Sequence, residues 1–441
     1  MVSEEREEEA FLDEDVFRKV PETETYEWTH FLMIFIGMWA SLAAVGRGVT
    51  LGLNITPWKG ILGLFFGYMI CMVYGFLVGR LGVKRRLATY PILQRPFSKF
   101  WAILPSLFTF GLAATFIGVQ ADVIARISMA VVNVPIITLV GPITNRTIIS
   151  GLLCAGMMFT AYKGIRYIRN LSWASIPFYM SVLVVGIVLA TLKFDGSFLE
   201  LLTVEKHKTS FATATFIGVS LYAGFSAMLP DVSRFVKTMR GFTKAIIIGF
   251  ISAVFIPASG VLMGAGYGAQ YFGVFGAFAF ALGIYAAVSM FLAQWTTNDN
   301  NAFTSGLALS TASRILDRKF ETGRLNRKAA TLIPILVGIG LSAAGAGGIG
   351  PLIAFVTALG SWLPPMAGVV IGHYYIVEKV AGEKGVAGKG IAGPISWIAV
   401  SLLVHLGILP WGAITGVVGG VAVYVALYFG VESPLFGKEK I

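Results

Sequence analysis

Residues 293–301 read AQWTTNDNN and come at the end of an apolar run that starts near residue 270. Polar groups within a hydrocarbon layer are costly unless they have partners, so this change of composition predicts a buried polar site inside a membrane helix. On a helix, the carbonyl of Ala293 and the hydroxyls of Thr296 and Thr297 lie at i, i+3 and i+4 and can converge on one face. Three neutral oxygens on one face suit a weakly bound alkali cation.

The rest of the chain has the composition of a membrane protein. Of its 441 residues, 56% are hydrophobic and 13% are charged, and 52 are glycine. Apolar runs of about 17 to 25 residues, long enough to cross a bilayer, recur along the chain and leave no room for a separate soluble domain. They predict twelve transmembrane helices near residues 28–53, 58–79, 100–125, 147–162, 171–192, 211–229, 245–268, 270–297, 330–346, 350–376, 391–409 and 412–431.

Lysine and arginine concentrate in alternate loops, as the positive-inside rule requires. Segments 80–99 and 314–328, which follow the second and eighth spans, are both rich in these residues. The alternation predicts an even number of spans in a cell (plasma) membrane, with both termini in the cytosol. It also accounts for the net charge of +11, so no nucleic-acid partner is predicted.

The first and sixth spans contain residues that interrupt helices. Breaks at these two positions are typical of an inverted five-plus-five repeat, in which the broken helices of both halves meet at mid-membrane. For any single glycine, close helix packing is the alternative explanation. The residues concerned are Gly37, Gly46, Gly48 and Gly52 in the first span and Gly218, Gly224 and Pro230 in the sixth.

The predicted organisation follows from these breaks. Residues 1–27 form an acidic cytosolic tail, residues 28–192 the first inverted repeat, and residues 211–376 the second. Residues 391–431 add two C-terminal helices, and residues 432–441 form a second cytosolic tail. The predicted fold class is therefore an all-α polytopic membrane protein.

The broken first span offers further oxygen ligands for a cation. Where a helix unwinds, its carbonyls lose their helical partners, and those of Gly37 and Ala40 would complete a set of five oxygens with Ala293, Thr296 and Thr297. The alternative is that both threonine hydroxyls bond to carbonyls of their own helix.

Two amides and two aromatic rings are candidates for binding an organic ligand. Asn298 and Gln120 each offer donors and an acceptor, which suits the edge of a heterocycle that alternates C=O and N–H groups. Phe116 lies one turn before Gln120 on the same helix face, and Tyr222 lies at the middle of the sixth span. The rings of Phe116 and Tyr222 can therefore stack on the two faces of a planar ligand, although core packing is the alternative for each.

Three acidic and basic residues within the spans have other predicted roles. Asp299, at the polar end of the eighth span, is the candidate proton carrier if coupling uses protons. Asp122 and Arg126 lie at i and i+4 in the third span and are expected to pair. The sequence contains no nucleophile–base arrangement, phosphate-binding loop or metal-ligand motif, so an enzyme is not predicted.

Four motifs resemble those of the nucleobase-cation symport family, which includes cytosine permeases and hydantoin and allantoin transporters. WTTNDN at 295–300 is similar to the cytosine-permease signature, and LPDVSRF at 229–235 to the end of the sixth span. The others are LPSL at 104–107 with FIGVQ at 116–120, similar to the third span, and LPPMAGVVIGHYY at 363–375, similar to the end of the tenth.

This resemblance implies a LeuT-type fold in the first ten spans, followed by two extra helices. Members commonly have tryptophan at the position of Phe116, cytosine permeases have glutamine at that of Ala113, and hydantoin-type members have asparagine at that of Ala302. By resemblance, Phe116 and Tyr222 stack on the base, Gln120 and Asn298 bond to it, and Ala293, Thr296 and Thr297 hold sodium.

The resemblance and the residues together predict a secondary active transporter that imports a nucleobase or related planar heterocycle by alternating access. Coupling to Na+ is expected, with H+ carried by Asp299 as an alternative. A transporter of amino acids or organic cations with the same fold is the nearest rival. The expected environment is a lipid bilayer, and the expected state is a monomer or a weak oligomer.

Overall fold

The computed structural model describes residues 16–141, 143–269, 271–320, 325–344, 349–382, 390–409 and 412–433. Residues 1–15 of the predicted N-terminal tail and residues 434–441 of the C-terminal tail lie outside the described residues. Within the described ranges, regular structure is helical apart from one two-stranded antiparallel hairpin.

The first half of the chain contains the hairpin, in which Thr138 lies opposite Thr144, and a series of long helices joined by short ones. Its elements are a 3-10 turn at Glu22–Glu24, α1 (Trp28–Trp39), α2 (Leu42–Gly52), α3 (Pro57–Arg85), α4 (Thr89–Leu93), α5 (Ile103–Val131), β1 (Thr138–Val140), β2 (Ile143–Thr144), α6 (Asn145–Met157), α7 (Phe159–Lys163), α8 (Ile165–Phe194) and α9 (Phe198–Thr203).

The second half is helical throughout its described residues. Its elements are α10 (Phe211–Ala227), α11 (Pro230–Ser233), α12 (Met239–Tyr267), α13 (Tyr271–Phe320), α14 (Arg327–Ala343), α15 (Ile349–Gly372), a π-helical segment at His373–Val377, α16 (Glu378–Ala381), α17 (Ala392–His405), α18 (Ala413–Leu427) and a second π-helical segment at Tyr428–Glu432.

Several of these helices have the length and composition of membrane spans. Among the described residues, five single helices are long and apolar enough to cross a bilayer, and α1 with α2 makes a sixth candidate if the pair is one span. Two shorter apolar helices, α10 and α17, add to this set. The total of twelve spans stays a prediction.

The first predicted break lies between α1 and α2, whose axes differ by 56°. Ala40 leaves the helical conformation with a ψ of 53°, and Ser41 is extended. The Ser41 side chain then caps α2 by accepting a hydrogen bond from the Ala43 N–H at 3.1 Å. The break therefore has its own capping residue, which replaces one of the helical hydrogen bonds lost there.

The second predicted break stays a prediction, because α10 runs without interruption through Gly218 and Gly224. That helix stops at Ala227, and the single turn of α11 begins at Pro230. Proline has no N–H to continue the hydrogen-bond ladder of the preceding helix and is well suited to the first turn of a new one.

The polar stretch at 293–301 does not end its helix, contrary to the sequence-based expectation for Asp299. Helix α13 continues to Phe320, with one non-helical residue at Gly283, so Asp299 lies well inside it and is completely buried. Hydropathy ended the predicted span at residue 297 because the next residues are polar. Asp299 has a partner on a neighbouring helix, the Thr160 hydroxyl, whereas the amides of Asn300 and Asn301 donate to carbonyls of their own helix.

Close backbone contact holds α2 against α12. A Cβ atom placed on Gly48 would lie 2.0 Å from the Pro257 carbonyl oxygen, and one on Gly260 would lie 2.1 Å from the Val45 oxygen. Glycine is therefore required on both sides of this contact, as is common where membrane helices approach closely. The contact fixes α2, the second half of the broken helix, relative to α12.

Candidate functional site

The residues predicted to bind a cation come together where α1 ends beside α13. The Thr297 hydroxyl donates to the Gly37 carbonyl oxygen of α1 and to the Ala293 oxygen of its own helix, both at 3.2 Å. The Thr296 hydroxyl donates to the same Ala293 oxygen at 2.7 Å. Ala40, the fifth predicted residue, directly follows α1 and donates its N–H to the Gly37 oxygen at 3.2 Å.

These contacts include hydrogen bonds from the threonine hydroxyls to their own helix, which was the alternative to cation binding in the sequence analysis. Thr296 makes the bond to its own helix that threonine often makes in a membrane helix, whereas Thr297 also reaches α1. All five residues are buried. Rotating the two hydroxyl protons away from Ala293 and Gly37 would turn hydroxyl and carbonyl lone pairs towards one point, and oxygen lone pairs are the ligands of hard cations.

Ser172 on α8 is a neighbour of this site that sequence reasoning missed. A Cβ atom on Gly37 would lie 2.8 Å from the Ser172 hydroxyl oxygen and 3.4 Å from the Thr296 Cβ. The Ser172 side chain is fully buried and donates to the Ile168 carbonyl at 2.9 Å. A single serine in an apolar span gives little signal in sequence, because its neighbours across the bundle are not visible there.

A second buried contact links the same helix to the break. The Gln294 side chain accepts a hydrogen bond from the Leu42 N–H at 2.7 Å and donates one to the Gln120 side chain on α5, also at 2.7 Å. Leu42 is the first residue of α2, so its N–H has no partner within the helix. Gln294 lies in the AQWTTNDNN segment at 293–301, but its position in the sequence alone did not reveal this role.

A cavity of about 650 Å³, including the space that opens towards solvent, lies next to the break. Phe116 and Tyr222, the two predicted stacking residues, both line it. The other lining residues are Met38, Trp39, Ser41, Ala43, Ala44, Thr109, Leu112, Ala113, Leu221, Gly224, Phe225, Met228, Asn301, Leu359 and Leu363.

Tyr222 is held in place by its neighbours. Its hydroxyl donates to the Ala253 carbonyl at 2.9 Å, and its ring packs against Trp39 and Tyr68. Trp39, the last residue of α1, also lines the cavity, and among the described residues its buried indole N–H has no hydrogen-bond partner. Sequence reasoning missed Trp39, although its position one residue before the break was a usable signal.

Gln120 and Asn298, the two amides predicted to bond to the ligand, are not among the described residues that line the cavity. Gln120 is bonded to Gln294, and the Asn298 amide nitrogen lies 3.6 Å from the Met157 sulfur on α6. Asn301, one turn further along α13, does line the cavity and donates to the Thr297 carbonyl at 2.9 Å.

The charged residues singled out in the sequence lie away from the cavity. Asp299 accepts hydrogen bonds from the Thr160 hydroxyl at 3.0 Å and from the Asn300 amide at 3.1 Å. Asp122 pairs with Arg126 at 3.0 Å, as predicted, and also with Arg146 at 3.1 Å. These contacts place Asp299 between α13 and α7, and Asp122 between α5 and the start of α6.

No protein-family model matches the chain, but individual relatives do. It is 24% identical to the cytosine permease of Escherichia coli strain K12 over 412 residues, which cover 92% of the chain and 91% of that permease. Mhp1, a nucleobase-cation-symport-1 family transporter in a closed conformation with bromovinylhydantoin bound, has the same fold, with a TM-score of 0.77, 18% identity, and coverage of 97% of the chain and 98% of Mhp1. The chain thus resembles a cytosine permease in sequence and a nucleobase-cation-symport-1 family transporter in fold.

These likenesses support a multi-pass membrane transporter. The fold extends beyond that family. A Na+-coupled sialic acid symporter in a substrate-bound outward-open state aligns with a TM-score of 0.67 and 13% identity, over 97% of the chain and 94% of the symporter. These likenesses show a LeuT-type fold, which agrees with the class predicted from the sequence.

Proposed function

We propose that the protein imports a nucleobase or a related planar heterocycle by sodium symport through alternating access. The observation that carries this proposal is the position of the helix break. Gly37 accepts a hydrogen bond from Thr297 on one side of it, and Trp39, Ser41 and Ala43 line the cavity on the other. One short stretch of backbone thus serves both candidate sites.

Sharing this backbone provides a route for coupling. A cation bound to Gly37, Ala40, Ala293, Thr296 and Thr297 would fix the angle between α1 and α13, and so the positions of Trp39 and Ser41. A base in the cavity would favour the same arrangement. Because linkage is reciprocal, each ligand would then increase the affinity of the protein for the other. The sodium coupling named for the sialic acid symporter supports sodium as the ion.

The walls of the cavity favour a neutral, planar ligand. Phe116, Trp39 and Tyr222 supply aromatic surface, and no charged side chain occurs among its described lining residues. A ligand with a net charge would enter without a compensating partner, which is costly in a buried site. This argues against an organic cation. The names of the cytosine permease and of Mhp1 with its hydantoin point to the same ligand class.

The test is uptake by purified protein in liposomes. Labelled cytosine, uracil, hypoxanthine, hydantoin and leucine would be offered separately, each with an inward sodium gradient, an inward proton gradient or no gradient. We expect sodium-driven uptake of at least one heterocycle and none of leucine. Uptake of leucine alone would reject the proposed ligand class and favour the amino-acid alternative.

Asn298 and Asn301 can be separated by a pair of variants. We propose that Asn298, the residue identified by resemblance, contacts the base, although Asn301 is the one that lines the described cavity. Asn298→Ala should raise the half-saturation concentration of the base by about tenfold, the value of one hydrogen bond in a buried site. Asn301→Ala is the matched comparison, and an effect confined to Asn301 would transfer the contact to that residue.

Proton coupling through Asp299 is the second candidate mechanism. The observation in its favour is a fully buried carboxylate whose described hydrogen bonds come from Thr160 and Asn300. Because the described hydrogen bonds of the Asp299 carboxylate come from Thr160 and Asn300, and none comes from the two threonines, we expect Asp299→Asn to keep sodium-driven uptake. Uptake driven by a proton gradient in the wild type and lost in this variant would instead establish the proton mechanism.

Three broader features complete the proposal. Residues 28–192 and 211–376 would form the two inverted repeats, with 391–431 as additional helices. Both termini would lie in the cytosol of a cell whose plasma membrane holds the protein as a monomer or weak oligomer. Addition of a membrane-impermeant maleimide to intact cells that carry a single terminal cysteine tests the orientation, and we expect labelling only after permeabilisation.

A further inference from the structure

The hydrogen bonds around Gln294 determine which way two amide groups point. An amide side chain can usually be placed with its oxygen and nitrogen exchanged, so its orientation has to be inferred from partners. Here one partner is the Leu42 backbone N–H, which can only donate. The Gln294 atom that it contacts at 2.7 Å must therefore be the amide oxygen.

The orientation of Gln120 follows from that of Gln294. With its oxygen engaged by Leu42, Gln294 presents its amide nitrogen, a donor, to Gln120 at 2.7 Å. The Gln120 atom at this contact must be the oxygen, and its NH2 group is left over. That nitrogen is buried and has no hydrogen-bond partner among the described residues.

A buried hydrogen-bond donor is unfavourable unless it finds an acceptor. Gln120 lies one turn beyond Phe116 on the same face of α5, and Phe116 lines the cavity. We infer that Gln294 is a positioning residue that holds Gln120 as a hydrogen-bond donor. The substrate group that bonds to Gln120 is then an acceptor, either a carbonyl oxygen or an unprotonated ring nitrogen. This inference rests on the proposed function for its substrate and on the contacts above for its geometry.

The same residue ties that donor to the cation site. Gln294 follows Ala293 in α13 and precedes Thr296 by two residues, and it bonds to the first residue of α2. A movement of the broken helix that accompanies cation binding would therefore displace the Gln294 oxygen, and through it the Gln120 amide. Gln294 thus links cation occupancy to the position of the Gln120 amide.

The first arm of the test needs no substrate. Hydrogen exchange would be measured on peptides covering residues 38–46 in the wild type, Gln294→Met and Gln294→Glu. Methionine keeps the size of the side chain but accepts no strong hydrogen bond, so we expect faster exchange at the break in that variant. Glutamate retains an acceptor for Leu42 and should match the wild type. Peptides from α12 serve as the internal control, and exchange at 38–46 that is equal in Gln294→Met and the wild type would overturn the inference.

The second arm measures uptake of the base that the wild type imports best. Gln294→Met should raise the half-saturation concentration about tenfold with little change in maximal rate, because it releases the orientation of one hydrogen-bonding group. Gln120→Met should have a similar effect, and the double variant should be no worse than Gln120→Met alone. Effects that multiply in the double variant would show that Gln294 does not act through Gln120.

The third arm tests whether Gln120 acts as a hydrogen-bond donor to the substrate. Sulfur analogues of the imported base, such as 2-thiouracil and 4-thiouracil for uracil, each replace one carbonyl acceptor by a weaker one. One of them should bind the wild type less well than the parent base and lose this disadvantage in Gln294→Glu, where Gln120 must turn its NH2 group towards the carboxylate. Equal discrimination in both proteins would overturn the assigned polarity. A wild type that imports no base would reject the proposed function, while the exchange result would still decide whether Gln294 holds the break.

Discussion

Replacing Thr296 and Thr297 together by alanine is expected to abolish the stimulation of uptake by sodium. The two hydroxyls are two of the five oxygens proposed to bind the ion, and they already contact the Gly37 and Ala293 carbonyls that supply two more. If the loss of each oxygen weakens binding about tenfold, as for a hydrogen bond to a charged group, the double variant needs about a hundredfold more sodium. Concentration–response curves for sodium in liposomes measure this directly.

The matched control is the pair Thr296→Ser and Thr297→Ser, which keeps both hydroxyls and removes only methyl groups. It should retain sodium stimulation within a few-fold of the wild type. Because Thr297 also joins α13 to α1, thermal unfolding without sodium must be compared first, and the serine pair should match the wild type there too. Unchanged sodium dependence in the alanine pair would remove the cation site from these residues.

Gly48→Val is expected to eliminate the folded transporter. The added Cβ would lie 2.0 Å from the Pro257 carbonyl oxygen and 2.9 Å from the Pro257 carbonyl carbon, and both are backbone atoms. Overpacking against side chains that can move costs about 1–3 kcal/mol. Here α2 and α12 would have to separate along their contact, so we expect a larger loss. Yield of monodisperse protein in detergent and the unfolding temperature measure it.

Gly111→Val is the control for a valine in a membrane helix. A Cβ atom on Gly111 in α5 would have no neighbour within 4 Å, so the substitution should leave yield and unfolding temperature close to those of the wild type. A Gly48→Val protein that unfolds at the wild-type temperature would contradict the described contact between α2 and α12. The proposed coupling would then lose α2 as its fixed half-helix.

These two expectations concern the two halves of one broken helix. Helix α1 ends at the proposed cation residues, and α2 is held by its glycine contact with α12. At the break between them, the Ser41 side chain caps α2 and the Leu42 N–H donates to Gln294. A transporter that moves α1 against a fixed α2 would use this break as its hinge, with Gln294 next to the hinge.

Local spacing was enough to predict part of the candidate site. The i, i+3, i+4 rule placed Ala293, Thr296 and Thr297 on one helix face, and the structure has all three in mutual contact. Glycines marked the first break, and the i, i+4 rule paired Asp122 with Arg126. Each of these inferences depends on the geometry of a single helix or of a short stretch of backbone.

What the sequence by itself determined was therefore the membrane-embedded helical class, the break in the first span and the oxygen-rich face of α13, because hydropathy and helical periodicity act within one element. Only the tertiary structure decided that Asn301, rather than Asn298, lines the described cavity, that Asp299 is buried against α7, and that Gln294 joins α2 to α5. Those outcomes depend on which helices face one another. In a bundle with many apolar faces of similar composition, that choice is made by close packing and by the pairing of buried polar groups across distant parts of the chain.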